Sequence, residues 1–99
     1  MIVRNEYRES ATRDHYIIRY EQGSDGIWRI YAEHHPENPY SSAVTSCHLY
    51  PSGEVCVNRS KFAPRELDQA KACAYLWMEG YSQYVRTGVF PATGARVRV

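Results

Sequence analysis

Three cysteines and four histidines are spread along the chain, but only one short stretch brings the two types together across a turn. That stretch is Cys47-His48-Leu49-Tyr50-Pro51-Ser52-Gly53-Glu54-Val55-Cys56-Val57. Proline at the second position of a turn and glycine at the fourth suit a type I turn closed by a left-handed glycine, the usual three-residue hairpin loop. In that register Tyr50 opposes Glu54, Leu49 opposes Val55, His48 opposes Cys56 and Cys47 opposes Val57. The apolar set Cys47, Leu49, Val55 and Val57 then shares one face, with His48 and Cys56 on the other. A two-residue loop would pair Cys47 with Cys56 and mix apolar with polar on both faces. Directly opposed β-carbons lie about 4.5–5.5 Å apart. An imidazole at that distance favours the thiolate, the nucleophilic form of cysteine. The competing reading is that Cys56 is a small packing residue, as free cysteines often are.

Other reactive types give weaker patterns. Cys47, His48 and Cys56 make a poor zinc set, because adjacent residues of a strand point to opposite faces and a structural site wants four ligands. His34-His35 stands in a proline loop and reads as solvated. Cys73 borders a helical core stripe and reads as packing. Trp77, Tyr81 and Tyr84 lack the interleaved basic residues of a base-stacking platform.

The elements that must position the hairpin follow from periodicity. His15-Tyr16-Ile17-Ile18-Arg19-Tyr20-Glu21 is β-branched and aromatic, hence a strand. Gly23-Ser24-Asp25-Gly26 is turn chemistry. In Ile27-Trp28-Arg29-Ile30-Tyr31-Ala32 the residues Trp28, Ile30 and Ala32 fall on one face. Pro36 and Pro39 exclude a regular element between His34 and Ser42. Ala43–Tyr50 and Glu54–Val57 are expected to be two further strands. Pro64 suits a first helical position. From there Leu67, Ala70, Ala74, Trp77, Tyr81 and Tyr84 recur at spacings of 3 and 4, one continuous core stripe. Gly88 fits just past the helix end, with Arg86 suited to the negative pole there. Gly80 inside the helix marks close packing or a bend. Residues 1–14 are charged and weakly patterned, open to either a short strand or a short helix, and residues 91–99 read as a mobile tail. The expected fold class is α+β: a four-stranded antiparallel meander with one long C-terminal helix on one face, in a single domain spanning residues 1–99.

Composition bounds the function. Ninety-nine residues, 43% apolar, suffice for one thin core. A net charge of +1 from 12 basic and 11 acidic residues, with no basic block, argues against a nucleic-acid partner. No run approaches the roughly 20 apolar residues of a membrane span, and Met1-Ile2-Val3-Arg4-Asn5-Glu6 has no signal-peptide core. A cytoplasmic protein with reduced thiols, no cofactor and no metal is expected.

Around the hairpin the chain resembles the ubiquitin-conjugating enzymes. It is most similar to the compact bacterial conjugating-enzyme-like proteins of anti-phage (CBASS) operons built around a cGAS-like nucleotidyltransferase. The resemblance runs from Pro36-Glu37-Asn38-Pro39-Tyr40 to His48, then to Gly53-Glu54-Val55-Cys56-Val57, which looks like the family's Gly-x-Ile-Cys-Leu. It ends with the aromatic helix Tyr75–Tyr84 running into Thr87-Gly88-Val89-Phe90. By position it implies Cys56 as the thioester-forming nucleophile and His48 as the histidine of the His-Pro-Asn motif. Leu49 and Tyr50 stand where that motif has Pro and Asn, so Tyr50 and Asn58 become the oxyanion candidates. Residues 1–14 are short for the family's N-terminal helix. The implied partners are a protein with a glycine C-terminus, either a cGAS-like nucleotidyltransferase or a ubiquitin-like protein, and an activating enzyme. The alternatives are a noncatalytic interaction module of the same type, with Cys56 vestigial, and an unrelated small interaction domain.

Overall fold

A computed structural model of the chain describes residues 1–56 and 63–91. Strands β1 (Ile2–Arg8), β2 (His15–Gln22) and β3 (Trp28–His34) form an antiparallel sheet in the order β1-β2-β3. A single helical turn, α1 (Val44–Cys47), and a long helix, α2 (Leu67–Thr87), complete the regular elements.

The expected four-stranded meander is therefore corrected to three strands, and the membership differs as well. The weakly patterned N-terminal segment is a full edge strand, with Asn5 opposite Ile18 and Tyr7 opposite Tyr16. Conversely, Ala43–Tyr50 is not a strand. Val44–Cys47 winds into α1, and His48 ends it in the left-handed region at φ 57°. The reason is that β3 has little edge left to offer. Main-chain bonds from Ala32 N–H to Gly53 O (2.8 Å) and from Val55 N–H to Ile30 O (2.8 Å) already lay residues 53–55 along it.

β2 and β3 alternate as read from the sequence. Tyr16, Ile18 and Tyr20 of β2, with Trp28, Ile30 and Ala32 of β3, are buried on the face that meets α2. The helix answers with Ala70, Ala74, Trp77, Tyr81 and Tyr84, all buried, and with Leu67 partly buried. Trp77 is 0% exposed, edge-on to Tyr16 at 5.8 Å and tilted against Tyr81 at 4.7 Å. Pro64 is not helical: its carbonyl accepts the Trp28 N–H (2.8 Å), and the helix starts three residues later with a Glu66–Gln69 capping box. Gly88 closes it at φ 79°.

The β1–β2 connection is held by carboxylates. Glu9 is buried and accepts from Thr12 N–H (2.7 Å), Thr12 Oγ1 (2.8 Å) and Ala11 N–H (3.2 Å). Asp14 takes a two-pronged pair from Arg86 at 2.6 and 2.9 Å, tying the turn to the end of α2.

Two outcomes follow. Trp77→Ala removes the largest fully buried side chain and is expected to cost about 3–5 kcal/mol in a denaturant melt; an unchanged midpoint would mean that α2 docks by another face. The second concerns acid. The Arg86 guanidinium lowers the Asp14 carboxyl below its ordinary range, and Arg4, then Arg19, hold Glu33 down to about 2. For Glu9 burial pushes upward, but the Thr12 hydroxyl and the two N–H groups together outweigh it and leave the group lowered. A carboxylate depressed in the folded state stabilises the fold above its unfolded value, and that contribution is lost as pH falls through the folded value. The melting temperature should stay flat from about pH 7 to 5 and fall below about pH 4. Asp14→Asn should flatten that fall; an equally steep acid limb in the variant would remove Asp14 as a cause.

Candidate functional site

The site is built by a chain segment with few sheet bonds. From His34 the backbone leaves β3 and turns through the prolines. Asn38 organises the turn: its Oδ1 accepts Tyr40 N–H (2.8 Å) and its Nδ2 donates to Ser41 O (3.0 Å). The Tyr84 hydroxyl donates to the same Ser41 carbonyl (2.7 Å), and the Trp77 indole N–H donates to Cys47 O (3.2 Å). Both ends of the segment around α1 are thus pinned by aromatic side chains of α2.

The hairpin follows. Leu49 and Val55 form an antiparallel bridge. Tyr50 N–H donates to Glu54 O (2.8 Å), Gly53 N–H to Tyr50 O (2.9 Å) and Cys56 N–H to His48 O (2.9 Å). These bonds give the three-residue-loop register, with Gly53 left-handed at φ 93°. The pairing is two residues deep rather than a pair of long strands. Val55 is buried and Leu49 packs against the core. Cys47 is also buried, as expected, but from inside α1 rather than from a strand.

The three thiols differ. Cys47 and Cys73 are buried, and burial raises the Cys73 thiol above its ordinary value. Cys56 is half-buried, and its Sγ lies 3.7 Å from the Tyr50 hydroxyl. Of the residues read from the sequence, Cys56 and Tyr50 therefore meet through their side chains. His48 meets Cys56 through the main-chain bond, while its ring stands edge-on to Phe90 at 4.4 Å. Asn58 lies outside the described residues, as does Val57.

Phe90 is the site residue that sequence reasoning missed. Its signal was the glycine inside α2: a Cβ on Gly80 would stand 2.4 Å from the Phe90 ring. The missing side chain leaves room for the segment after α2 to fold back, placing Phe90 between the helix and His48. Beside the hairpin runs a groove of about 260 Å³ lined by His35, Asn38, Ser42, Cys47, Leu49, Tyr50, Pro51, Gly53 and Tyr81. Tyr50 links this groove to the thiol. Among the described residues no cluster of three His, Cys, Asp or Glu side chains is placed to hold a metal ion, and no helix is long and apolar enough to cross a membrane.

No family model, no curated protein and no solved structure matches the chain.

Gly80→Ala should gain about 1 kcal/mol of helix propensity yet destabilise the protein by about 1–2 kcal/mol, because the Phe90 ring must move. Adding Phe90→Ala should make the same Gly80→Ala change neutral or favourable. A double-mutant cycle by thermal melting checks this, and additive effects would break the link.

Proposed function

We propose that Cys56 is an acyl-accepting thiol of the ubiquitin-conjugating type. It would take the C-terminal glycine of a protein as a thioester, in cytoplasmic antiviral defence. The observation that carries the reading is the contrast among the thiols: Cys56 is the half-buried one, and a hydroxyl stands 3.7 Å from its sulfur. The sequence around it supports the same assignment through the Gly53-Glu54-Val55-Cys56 run.

The chemistry asks little of a small domain. The donor is a glycine carboxyl already activated, as an adenylate or a thioester, by an activating enzyme. The Cys56 thiolate attacks its carbonyl carbon, a new carbon–sulfur bond forms, and AMP (from an adenylate) or the donor's thiolate (from a thioester) leaves with the bonding electrons. A lysine amine or a water then attacks the thioester and releases Cys56 as a thiolate. During each attack the carbonyl oxygen becomes an oxyanion, which a fixed donor stabilises. Tyr50 is that donor in this reading, and Asn58 is the second candidate. His48 assists by position: it ends α1 at φ 57°, accepts the Cys56 N–H on its carbonyl and packs its ring against Phe90. The groove along Leu49, Tyr50 and Pro51 suits a slender glycine-ended tail. A cGAS-like nucleotidyltransferase or a ubiquitin-like protein is the donor this reading names.

A second reading keeps the surface and drops the chemistry: Cys56 is vestigial and the face is a protein-docking module. The exposed rings of Tyr40 and Tyr50 favour it, because interfaces are enriched in tyrosine.

One set of experiments separates the two. In the native protein iodoacetamide should modify Cys56 ahead of Cys47 and Cys73, read by mass spectrometry. With an activating system and a glycine-ended partner, Cys56→Ala should abolish a thiol-sensitive adduct, and Cys56→Ser should trap a thiol-resistant ester. Tyr50→Phe should slow adduct formation roughly 100-fold, the scale of one lost oxyanion donor. His48→Ala should slow it without abolishing it. Partner binding that survives in Cys56→Ala, with no adduct in the wild type, would favour the docking module. An adduct lost in Cys47→Ala and kept in Cys56→Ala would overturn the assignment.

A further inference from the structure

β1 is an edge strand, and among the described residues nothing pairs with its outer side. Its main-chain polarity can be read from the bonds that extend its ladder. Gln22 N–H donates to Met1 O (3.1 Å) and Glu9 N–H donates to Asp14 O (2.9 Å), in phase with the Asn5–Ile18 register. Odd-numbered residues thus exchange bonds with β2. The N–H and C=O groups of Ile2, Arg4, Glu6 and Arg8 therefore point to the open edge. Such an edge is a template for another strand, and proteins usually blunt it. Here exposed apolar side chains stand at both ends of the edge: Met1 and Ile2 at its start, and Tyr75, edge-on to Tyr7 at 5.4 Å, near its end.

The side chains select the strand that fits. We propose that β1 pairs antiparallel with β1 of a second copy of this chain, about a two-fold axis at Asn5, joining two three-stranded sheets into one. Residue numbers opposite one another then sum to ten. Arg4, which bonds Glu33 of its own chain at 2.7 and 3.0 Å, faces the partner's Glu6, and Glu6, which meets its own His15 ring, faces the partner's Arg4, in the pairs that exchange main-chain bonds. Val3 faces the partner's Tyr7 on the helix side, Asn5 faces itself, and Ile2 lies under the stem of the partner's Arg8.

Charge excludes the neighbouring registers. Moving the axis to Arg4 sets arginine against arginine, and moving it to Glu6 sets glutamate against glutamate and Arg4 against Arg8. Directly opposed like charges destabilise a strand pair. An axis between residues would oppose outward groups to inward ones and lose the ladder. Parallel self-pairing in register stacks Arg4 on Arg4. An axis at Tyr7 also opposes Glu6 to Arg8 but overlaps only residues 6–8 of the strand, so over its full length Ile2-Val3-Arg4-Asn5-Glu6-Tyr7-Arg8 is self-complementary about Asn5.

The same arrangement accounts for the groove at the end of β1. About 330 Å³ lies open between Tyr7, Arg8, Glu9, Tyr75 and Met78. In this register the partner's Met1 stands opposite Glu9, on the helix side, where it closes over that groove. The contact is isologous, so it ends at a dimer and does not propagate into a fibre. It leaves the hairpin of Cys56 untouched, because that hairpin lies along β3 at the other edge. The proposal does not depend on the chemistry of Cys56.

Sedimentation of the full chain tests it. The wild type should be in reversible monomer–dimer equilibrium, mostly dimeric by about 100 μM. Arg4→Glu alone and Glu6→Arg alone should each weaken self-association at least tenfold, because each opposes like charges. Mixed one to one, these two variants should form a heterodimer, since every opposed pair is again of opposite sign. Asn5→Cys supplies a readout that does not depend on charge. The self-paired position brings two α-carbons to about 4.5 Å, within disulfide reach. Mild oxidation should therefore give a covalent dimer on a non-reducing gel, and Arg4→Cys should not. A monomeric wild type at about 100 μM would overturn the proposal. So would undiminished self-association of both folded charge variants, or an Asn5→Cys chain that fails to cross-link while folded.

Discussion

The indole N–H of Trp77 donates to the carbonyl of Cys47 at 3.2 Å, inside the core, and the geometry of the candidate site follows from that bond. The segment between β3 and the hairpin has almost no ladder of its own, and α1, a single turn, leaves its last carbonyls without helical partners. A buried carbonyl left unpaired costs about 1–3 kcal/mol, comparable to a sizeable share of the stability of a small domain. Trp77 removes that cost while filling the middle of the helix stripe. Tyr84 does the same two turns further on, through Ser41. The face of α2 thus fixes both ends of the segment. With Cys47 held, His48 closes α1 in the left-handed region and the chain reverses into the hairpin that carries Cys56.

The same economy explains why tyrosine dominates a core this small. A buried aromatic ring supplies area, and its hydroxyl must then find a partner. Tyr16 donates to Met78 O (3.1 Å) and shares a 2.7 Å bond with Ser82 Oγ. Tyr20 and Tyr7 pair through their hydroxyls at 2.9 Å. Among the described residues no buried side-chain nitrogen or oxygen lacks a partner. Burial pushes the Tyr16 and Tyr20 hydroxyls well above their ordinary value and Tyr81 up to about 12, so all three remain neutral donors at ordinary pH. Tyr16 thus cross-links β2 to α2, Tyr20 cross-links β2 to β1, and Tyr84 ties α2 to the segment before α1, each while filling the core.

What the sequence made legible follows a physical division. β2, β3 and α2 are patterned by burial on one face, so alternation and the 3–4 stripe located them within a few residues. The tight loop at Pro51–Gly53 was legible because its glycine requirement is local, and the Leu49–Val55 pairing came with it. β1 was obscured because Asn5 occupies an inward position between Val3 and Tyr7 and three of its four outward positions are charged. Strand membership there is set by a neighbour thirteen residues away, which no local pattern records. Ala43–Tyr50 failed in the opposite sense: Val44 and Thr45 favour strand, but β3 offers no free edge and Trp77 offers a carbonyl partner, so tertiary context overrode propensity. The contact of His48 with Phe90 was hidden for the same reason, beyond the hint that Gly80 gave.

The two edges of the sheet divide the labour of the molecule. Its outer face is closed by charge: Arg19 bridges Glu21 (2.6 Å) and Glu33 (2.7 Å), stacks over Tyr31, and shares Glu33 with Arg4. Such a network is solvated and flat, and it offers nothing apolar to a partner. The edge of β3 is covered by residues 53–55, so the hairpin that presents Cys56 also protects a strand from unwanted pairing. Gly53 joins the two roles. It holds φ 93°, where other residues are strained, and a Cβ there would stand 3.5 Å from Ala32 O while its own carbonyl accepts Ala32 N–H. A side chain here would strain the turn through the positive φ, and the same residue carries the sheet bond to Ala32. The placement of the thiol and the closure of the β3 edge are therefore a single structural event, which is why a half-buried site at the margin of the sheet can be held by so few bonds.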